Sequence, residues 1–360
     1  MLQGIQYLRG AAAFMIVYYH SAGPLERITG HRIPLSFSEF GVDLFFVISG
    51  MVMWLSTHDG HIGPGEFLKN RFRRVAPLYW AITILISIVA LLAPSLLRST
   101  AFDPAHFVAS LAFIPWPNPT YPGFWPLLIP GWTLNYEMFF YVIFAAMLML
   151  SPIFRAAGVI SALVFLSLMG NYMEPAGFLR YYTKPIILNF AFGIISGIIY
   201  TSKLTIDKIS SIVIAVFGFI LLCFLHDIGG APRLIAAGLP SMMIVSGLAM
   251  LEKSCSMIRI APLDHLGASS YSLYLIHPVI LSALAIGLGK FTIVADSHWT
   301  FSLLLLLSGS LLAGSILHFV AEKPLDRLAR GLLGQKPQQA VSARVDGNGS
   351  RSVGGISAAG

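Results

Sequence analysis

Charged residues are scarce in this chain. Only 11% of its 360 residues are Asp, Glu, Lys or Arg, against roughly 25% in an average soluble domain. Hydrophobic residues make up 56%, and runs long enough to cross the hydrocarbon core of a bilayer recur along almost the whole chain. The composition therefore excludes an ordinary water-soluble globule and predicts an all-α, polytopic integral membrane protein.

Cysteines and several common catalytic motifs are also scarce or missing. The two cysteines, Cys223 and Cys255, fall in a predicted span and a predicted cytoplasmic loop, so we expect neither a disulfide framework nor a metal site. The chain contains no phosphate-binding G-x-x-x-x-G-K-[ST], no H-E-x-x-H and no G-x-S-x-G. These absences weigh against an ATP-driven pump, a metalloprotease and a serine hydrolase.

The apolar runs predict about ten transmembrane helices. With the N-terminus and the C-terminus in the cytoplasm, most Lys and Arg fall in inside segments, as the positive-inside rule requires. The net charge of +7 then results mostly from the membrane topology, and we predict no nucleic-acid partner. The predicted spans lie near 4–23, 38–57, 77–97, 131–151, 152–170, 184–200, 208–226, 233–251, 269–288 and 300–320.

One membrane domain followed by a tail is predicted. Residues 1–330 form one transmembrane domain. Residues 331–360 are poor in aromatics and rich in Gly, Ser and Ala, a composition typical of disorder. We therefore expect a disordered cytoplasmic tail after the last span.

Two polar residues interrupt the first span, "LRGAAAFMIVYYH". Arg9 and His20 are separated by close to three helical turns, so they share one face and lie about 16 Å apart along the axis. Ionisable side chains inside membrane helices usually face a protein interior or a water-filled cavity, which makes this face a candidate site. The alternative is that the Arg9 side chain extends to the lipid headgroups, while the His20 ring lies at the opposite interface with its hydrogen bonds satisfied.

Two carboxylates lie at a depth similar to that of His20. Asp43 is early in the second span and Glu137 early in the fourth, and both spans begin on the predicted outside. A carboxylate bonded to one imidazole nitrogen would orient the ring and raise its basicity, so we expect Asp43 or Glu137 to orient His20. The alternatives are that Asp43 caps a helix and that Glu137 forms a structural ion pair.

A pair of arginines precedes the third span in "NRFRRVAPLYW". Arg71 and Arg74 are three residues apart, so they occupy one helix face and could hold a phosphate or pyrophosphate together. They lie on the predicted cytoplasmic side. Basic residues at that place also follow from topology alone and could meet anionic lipid.

A further histidine lies in the ninth span, in "SSYSLYLIHPVIL". Tyr274 shares the helix face of His277. Pro278 frees the Tyr274 carbonyl and favours a kink. The pattern indicates a cavity wall, with a satisfied structural histidine as the alternative.

An aromatic segment with six prolines, "PWPNPTYPGFWPLLIPGW" at 115–132, cannot form a regular helix. We predict a structured outside loop packed by its own rings. Trp116, Tyr121, Phe124 and Trp125 could stack on a sugar, or they could form an interfacial aromatic belt.

Taken together and in chain order, these motifs resemble the membrane-bound acyltransferase 3 family. The resemblance rests on "LRGAAAFMIVYYH", "GVDLFFVISG", "NRFRRVAPLYW", "GWTLNYEMFFY", "SYSLYLIHP" and "AEKP", and it covers about residues 3 to 327. Within the family the chain looks most like the exopolysaccharide O-acetyltransferases that decorate succinoglycan-type polymers.

The resemblance implies an enzyme of the bacterial inner membrane that moves an acetyl group from acetyl-CoA to a hydroxyl of a surface polysaccharide, an exopolysaccharide or its lipid-linked precursor. It makes His20 the catalytic base or acyl carrier, and it associates Arg71 and Arg74 with the acyl-CoA donor. The implied partners are the saccharide acceptor, membrane lipids and polysaccharide-assembly proteins. The motif W-[ST]-L-x-x-E falls on Trp132, Thr133, Leu134 and Glu137.

The remaining roles are assigned with the resemblance in view. Arg9 is expected to hold a donor phosphate or to stabilise developing negative charge, and Asp43 and Glu137 complete the catalytic set. Candidate acceptor-binding residues are Trp125, Trp132, Tyr274 and His277.

Two other classes of function stay open at this point. In a proton-coupled transporter of a small molecule or saccharide, the intramembrane His, Asp and Glu would relay protons. Repeated halves would favour a transporter, and no repeat is visible in the sequence. The chain could also be a non-catalytic membrane subunit that binds a saccharide.

Overall fold

The computed structural model describes residues 2–60, 62–94, 100–173, 175–226, 232–290 and 298–332. Every regular element within these ranges is a helix or a helical turn, which confirms the all-α prediction. The α-helices are α1 (Gln3–Thr29), α2 (Gly41–Leu55), α3 (Pro64–Leu92), α4 (Pro104–Leu111), α5 (Trp132–Ala146), α6 (Pro152–Met173), α7 (Gly177–Tyr182), α8 (Leu188–Thr201), α9 (Lys208–His226), α10 (Leu239–Ser254), α11 (Ala261–Leu288), α12 (Trp299–Leu317) and α13 (Lys323–Leu332).

Seven helical segments within the described ranges are long and apolar enough to cross a membrane. Three further predicted spans overlap α1, α5 and α8. Every predicted span therefore contains a helix, while the total of about ten crossings and the N-in/C-in orientation stay predictions. The seven segments are Ser38–Leu55, Pro64–Leu92, Pro152–Met173, Lys208–Leu225, Leu234–Ser254, Ala261–Leu288 and Trp299–Leu332.

The predicted disordered tail, 331–360, lies almost entirely outside the described residues. Only its first two positions are described, and they form the end of α13.

Three helix pairs make the main lengthwise contacts of the bundle: α1 with α11, α2 with α8, and α9 with α10. Small residues allow the closest approach. A Cβ placed on Gly50 of α2 would lie 2.1 Å from the Phe190 carbonyl oxygen, and one placed on Gly193 of α8 would lie 2.0 Å from the Val47 carbonyl oxygen. The backbones of α2 and α8 are therefore in direct contact. This contact fixes the position of α2 along α8 and its rotation about its own axis.

Stacked phenylalanines hold α5 against the same pair of helices. Phe190 of α8 stacks on Phe46 of α2 at 4.5 Å and on Phe140 of α5 at 4.3 Å between ring centroids. Such ring pairs add to the stabilisation from their buried area. The two contacts set the position of the α5 face that carries Glu137.

The proline-rich segment between α4 and α5 is an ordered loop. The Asn118 side chain accepts hydrogen bonds from the backbone N–H groups of Thr120 and Tyr121, an Asx turn that replaces helical bonding. The Trp125 ring packs edge-on against Trp132 at 6.1 Å, and the Trp125 carbonyl lies 2.8 Å from Nε2 of His106. The loop is packed partly by its own aromatics, as predicted.

Candidate active site

Three arginines from α1 and α3 lie around the same two cavities. Arg71 and Arg74, one helical turn apart on α3, line the same cavities as Arg9 of α1. The Arg9 guanidinium donates to Oγ of Ser270 at 3.1 Å, and the Arg71 guanidinium donates to Oγ of Ser56 at 3.1 Å. Both acceptors are neutral hydroxyl groups, and these bonds orient the two guanidinium groups.

Two cavities meet at these arginines. The outer cavity has a volume of about 430 Å³ and the inner one about 130 Å³. Arg9, Arg71 and Arg74 line both, so they form the boundary between the two. Polar residues of α3, of α13 and of the turn before α13 surround the outer cavity, among them Asn70, Arg73, His318, Glu322, Lys323 and Arg330. Mostly apolar side chains surround the inner one, among them Val42, Phe45, Phe46, Val52, Leu134 and Tyr271.

Glu137 of α5 lines the inner cavity. Its Oε1 accepts a hydrogen bond from Oγ of Ser49 at 3.1 Å and another from the hydroxyl of Tyr141. The carboxylate is therefore held on the side of the arginines and not beside His20. The sequence interpretation placed Glu137 at the depth of His20, whereas the structure places it in the cavity that the three arginines line.

Asp43 of α2 is fully buried and pairs with a residue that the sequence interpretation did not consider. Arg233 donates from Nη2 to Oδ2 at 2.7 Å and from Nε to Oδ1 at 3.2 Å. Asn189 of α8 donates to Oδ1 at 2.7 Å. Both carboxylate oxygens are thus occupied, and the group ties α2 to α8 and to the segment that leads into α10.

The ring of His20 is oriented by its own helix. Its Nδ1 lies 2.9 Å from the carbonyl oxygen of Ile16, one turn earlier. A carbonyl can only accept, so Nδ1 carries the proton and Nε2 keeps its lone pair. The expectation that Asp43 or Glu137 orients this ring is therefore wrong, because each carboxylate is already bonded to other donors.

Tyr274 and His277 of α11 connect the inner cavity with His20. Tyr274 lines the cavity, and its hydroxyl lies 2.8 Å from the Pro130 carbonyl oxygen and 2.7 Å from Oγ1 of Thr133. The ring of His277 lies 6.0 Å from that of Tyr274 and 4.9 Å from that of His20, between centroids. Tyr274 is thus part of a cavity wall on α11, whereas His277 and His20 line neither described cavity, and a place for His277 in that wall stays a prediction.

Trp125 and Trp132 line neither of the two cavities. Trp132 packs against Phe46 and Tyr136 of the core, while Trp125 keeps 37% of its surface exposed in the loop. A part in binding the acceptor stays a prediction for both. Among the residues that the structure describes, no group of three or more His, Cys, Asp or Glu is arranged to hold a metal ion.

Comparison with known proteins adds an independent line of evidence. A family model described as an acyltransferase domain matches residues 2–320. The exopolysaccharide production protein ExoZ of Rhizobium meliloti (strain 1021) is 32% identical over 320 residues, which is 84% of this chain and 93% of the relative. "Protein 2 in picA locus" of Rhizobium radiobacter is 34% identical over 161 residues, 40% of this chain and 80% of that protein. No solved structure matches the chain.

The matched range includes every residue of the arginine boundary, the inner cavity and the histidine pair. It also includes most of the helices that are long enough to span a membrane. The molecule is a multi-pass membrane acyltransferase, and the chain belongs to the acyltransferase 3 family.

Proposed function

We propose that this chain is a bacterial inner-membrane O-acetyltransferase that moves an acetyl group from acetyl-CoA to a hydroxyl of an exopolysaccharide or of its lipid-linked precursor. The acceptor class is supported by the name of the relative from Rhizobium meliloti, an exopolysaccharide production protein. The observation that carries the donor assignment is the boundary of three arginines between a polar outer cavity and a largely apolar inner one.

The two cavities suit the two ends of an acyl-CoA. The outer volume of about 430 Å³ falls within the roughly 300–1,000 Å³ of ordinary ligand pockets. Arg71 and Arg74 hold the donor phosphates there, since guanidinium groups bind phosphate in a bidentate manner. The inner volume of about 130 Å³ is too small for a saccharide chain and suits a narrow thioester arm.

Glu137 contributes a carboxylate to the inner cavity. It shares that cavity with Arg9 and Arg71, and its charge keeps the guanidinium groups directed into the boundary. The bonds from Ser49 and Tyr141 hold the carboxylate in turn. Asp43 acts on the site from a distance, because its ion pair with Arg233 fixes α2.

His20 supplies the base. Its unprotonated Nε2 removes the proton of the acceptor hydroxyl while that oxygen attacks the thioester carbonyl, which has been delivered past Tyr274. The new C–O bond forms, the C–S bond breaks, and the CoA thiolate takes the proton from the imidazolium. General-base catalysis of this kind contributes roughly 10²- to 10⁴-fold. In the other order of events, Nε2 attacks the thioester carbonyl first and the C–S bond breaks to release the CoA thiolate. The acetyl group then passes from Nε2 to the acceptor oxygen, and the proton of the acceptor hydroxyl goes to the thiolate.

The acceptor approaches from the end of the bundle where the proline-rich loop lies. Trp116, Tyr121 and Trp125 are between 37% and 45% exposed there, and flat rings of this kind pack against the apolar faces of sugars. Membrane lipids surround the helices, and polysaccharide-assembly proteins supply the acceptor.

The test is transfer of radiolabelled acetyl from acetyl-CoA to saccharide in membranes that contain the protein. We expect His20→Ala to abolish transfer at unchanged protein level. His31→Ala is the matched control, because this imidazole stacks on Trp299 at 4.4 Å and lines neither described cavity. Transfer by His20→Ala at the rate of the control would contradict the proposed role.

A further inference from the structure

The motif "AEKP", residues 321–324, has no part in the proposed transfer, although it lies beside the outer cavity. It covers the point where a π-helical turn (His318–Glu322) passes into α13. The backbone N–H of Lys323 donates to the His318 carbonyl oxygen, five residues earlier. A π-helical turn holds one residue more than an α-helical turn and frequently lies at a functional site. The extra residue rotates α13 about its axis and determines which of its faces meets the bundle.

α13 is held against the bundle at the outer cavity. It packs against α3, the helix that carries Arg71 and Arg74. Leu325 packs against the main hydrophobic core and also lines the cavity. Lys323 and Arg330 are seven residues apart, so they lie on nearly the same side of the helix, and both line the cavity as well. The outer cavity therefore receives cations from two different helices.

The two cations of α13 have different neighbours. Nη2 of Arg330 lies 2.5 Å from Oδ2 of Asp326, one turn earlier, and the two side chains are 59% and 35% exposed. The Lys323 ammonium lies 4.1 Å from the centroid of the Phe319 ring. An aromatic ring attracts a cation but does not neutralise it. Lys323 therefore brings a full positive charge to the cavity, while Asp326 partly offsets the charge of Arg330.

The charges around the outer cavity exceed what one pyrophosphate requires. Among the described residues, its cationic side chains are Arg9, Arg71, Arg73, Arg74, Lys323 and Arg330, and its acidic side chains are Glu322 and Asp326. The pyrophosphate of a CoA thioester carries about two negative charges, and its ribose 3′-phosphate carries roughly 1.5 to 2 more at pH 7. The excess of cations is larger than the charge of the pyrophosphate, even when the Glu137 carboxylate of the inner cavity is included. The cavity wall therefore suits a ligand with a further phosphate group.

We propose that Lys323 and Arg330 form a second anion subsite, which binds the ribose 3′-phosphate of acetyl-CoA. The inference rests on the proposed function, in which acetyl-CoA is the donor. The pyrophosphate of the same molecule is bound by Arg71 and Arg74. An ammonium and a guanidinium both donate charge-assisted hydrogen bonds to phosphate oxygens. Because the two subsites are on different helices, both are filled only by a donor that carries two separate phosphate groups. The arrangement selects CoA thioesters over thioesters that lack the 3′-phosphate.

The test compares two donors, acetyl-CoA and acetyl-dephospho-CoA, which differ only in the 3′-phosphate. With wild-type protein in membranes we expect KM for acetyl-dephospho-CoA to be about tenfold higher, at unchanged kcat. Lys323→Gln should raise KM for acetyl-CoA by about three- to tenfold and leave KM for acetyl-dephospho-CoA unchanged. Asp326→Asn should lower KM for acetyl-CoA by about two- to threefold, because it removes a repelling charge beside the subsite, and should not affect the other donor.

Arg327→Gln is the matched control, because Arg327 belongs to α13 but does not line the outer cavity. Both KM values should stay at those of the wild type. Cations at this place could instead meet an anionic lipid headgroup, and Lys323→Gln would then change the two KM values by the same factor. That result would overturn the inference, and so would equal KM values for the two donors in the wild type.

Failure of the inference can be told apart from failure of the proposed function. If Lys323→Gln does not fold, Asp326→Asn must still lower KM for acetyl-CoA alone, and an unchanged KM would overturn the inference. Absence of transfer from both donors by the wild-type protein would refute the proposed function. Transfer from both donors with no preference between them would refute the second anion subsite alone.

Discussion

The crossing of α2 and α8 offers a perturbation whose size can be worked out from the structure. In Gly193→Ala the new Cβ would lie 2.0 Å from the Val47 carbonyl oxygen and 2.8 Å from both Cα of Gly50 and the backbone nitrogen of Met51. All three neighbours are backbone atoms, so no side-chain rotation relieves the clash. The helices must separate by about 1 Å or more to restore ordinary contact.

That separation has a thermodynamic and a catalytic consequence. Overpacking of this kind costs roughly 1–3 kcal/mol, and we expect the upper end because only backbone can move. The thermal midpoint should fall by about 5 °C or more. Ser49, which precedes Gly50, would move away from Glu137 and from the inner cavity. A misplacement of 1 Å can reduce the rate by about 100-fold, so transfer should fall by at least tenfold.

The control is Gly287→Ala in α11, where a Cβ would meet no heavy atom within 4 Å. This variant should keep the midpoint and the activity of the wild type, because Ala favours a helix more than Gly does. Both variants are measured by thermal unfolding in detergent and by acetyl transfer in membranes. Equal midpoints and equal rates for Gly193→Ala and Gly287→Ala would refute the backbone contact between α2 and α8.

Three further outcomes are expected. Asp43→Asn should lower the free energy of unfolding by about 1–3 kcal/mol, less than the loss for a fully buried pair because the Arg233 side chain is 41% exposed. The double variant with Arg233→Gln should lose less than the sum of the two single losses, and additive losses would contradict the ion pair. Arg74→Ala should raise KM for acetyl-CoA about tenfold with little change in kcat. Lys69→Ala is the control and should leave KM unchanged, because Lys69 is on the same helix but lines neither described cavity. Equal KM values for the two variants would argue against phosphate binding by Arg74. Glu137→Gln should keep the midpoint, since it still accepts from its two hydroxyl donors, but lose transfer with the charge, and full activity would remove Glu137 from the proposed site.

The helices and the arginine boundary follow from local sequence. Apolar runs of membrane-spanning length predict a helix in each of the ten places where the structure has one. A spacing of three residues places Arg71 and Arg74 on one helix face whatever the rest of the fold does. Pro278 likewise predicts a free Tyr274 carbonyl, and the structure uses that carbonyl to hold His277.

Pairings between helices are not determined by the same information. Depth in the membrane made His20 and Asp43 plausible neighbours, but depth says nothing about the angular position of each helix in the bundle. Asp43 pairs with Arg233, 190 residues away in the chain, at the first position of a predicted span. The sequence did offer one indication of this pair, because a buried carboxylate requires a cationic partner.

The orientation of His20 was missed for a local reason. Every helical histidine has a carbonyl one turn before it, and the sequence does not tell whether the ring bonds to that carbonyl or to a distant carboxylate. The transporter and binding-subunit alternatives could not be excluded from intramembrane charges either. Family membership over residues 2–320 decides in favour of an acyltransferase.

The central claim is tested most directly by the O-acetyl content of the host's surface polysaccharide. The measurement compares cells that lack this chain with cells complemented by the wild type or by His20→Ala at equal protein level. Deletion should remove O-acetyl groups from one polymer, the wild type should restore them, and His20→Ala should not. Acetyl content that is unchanged in every polymer after deletion, or restored by His20→Ala, would contradict the account.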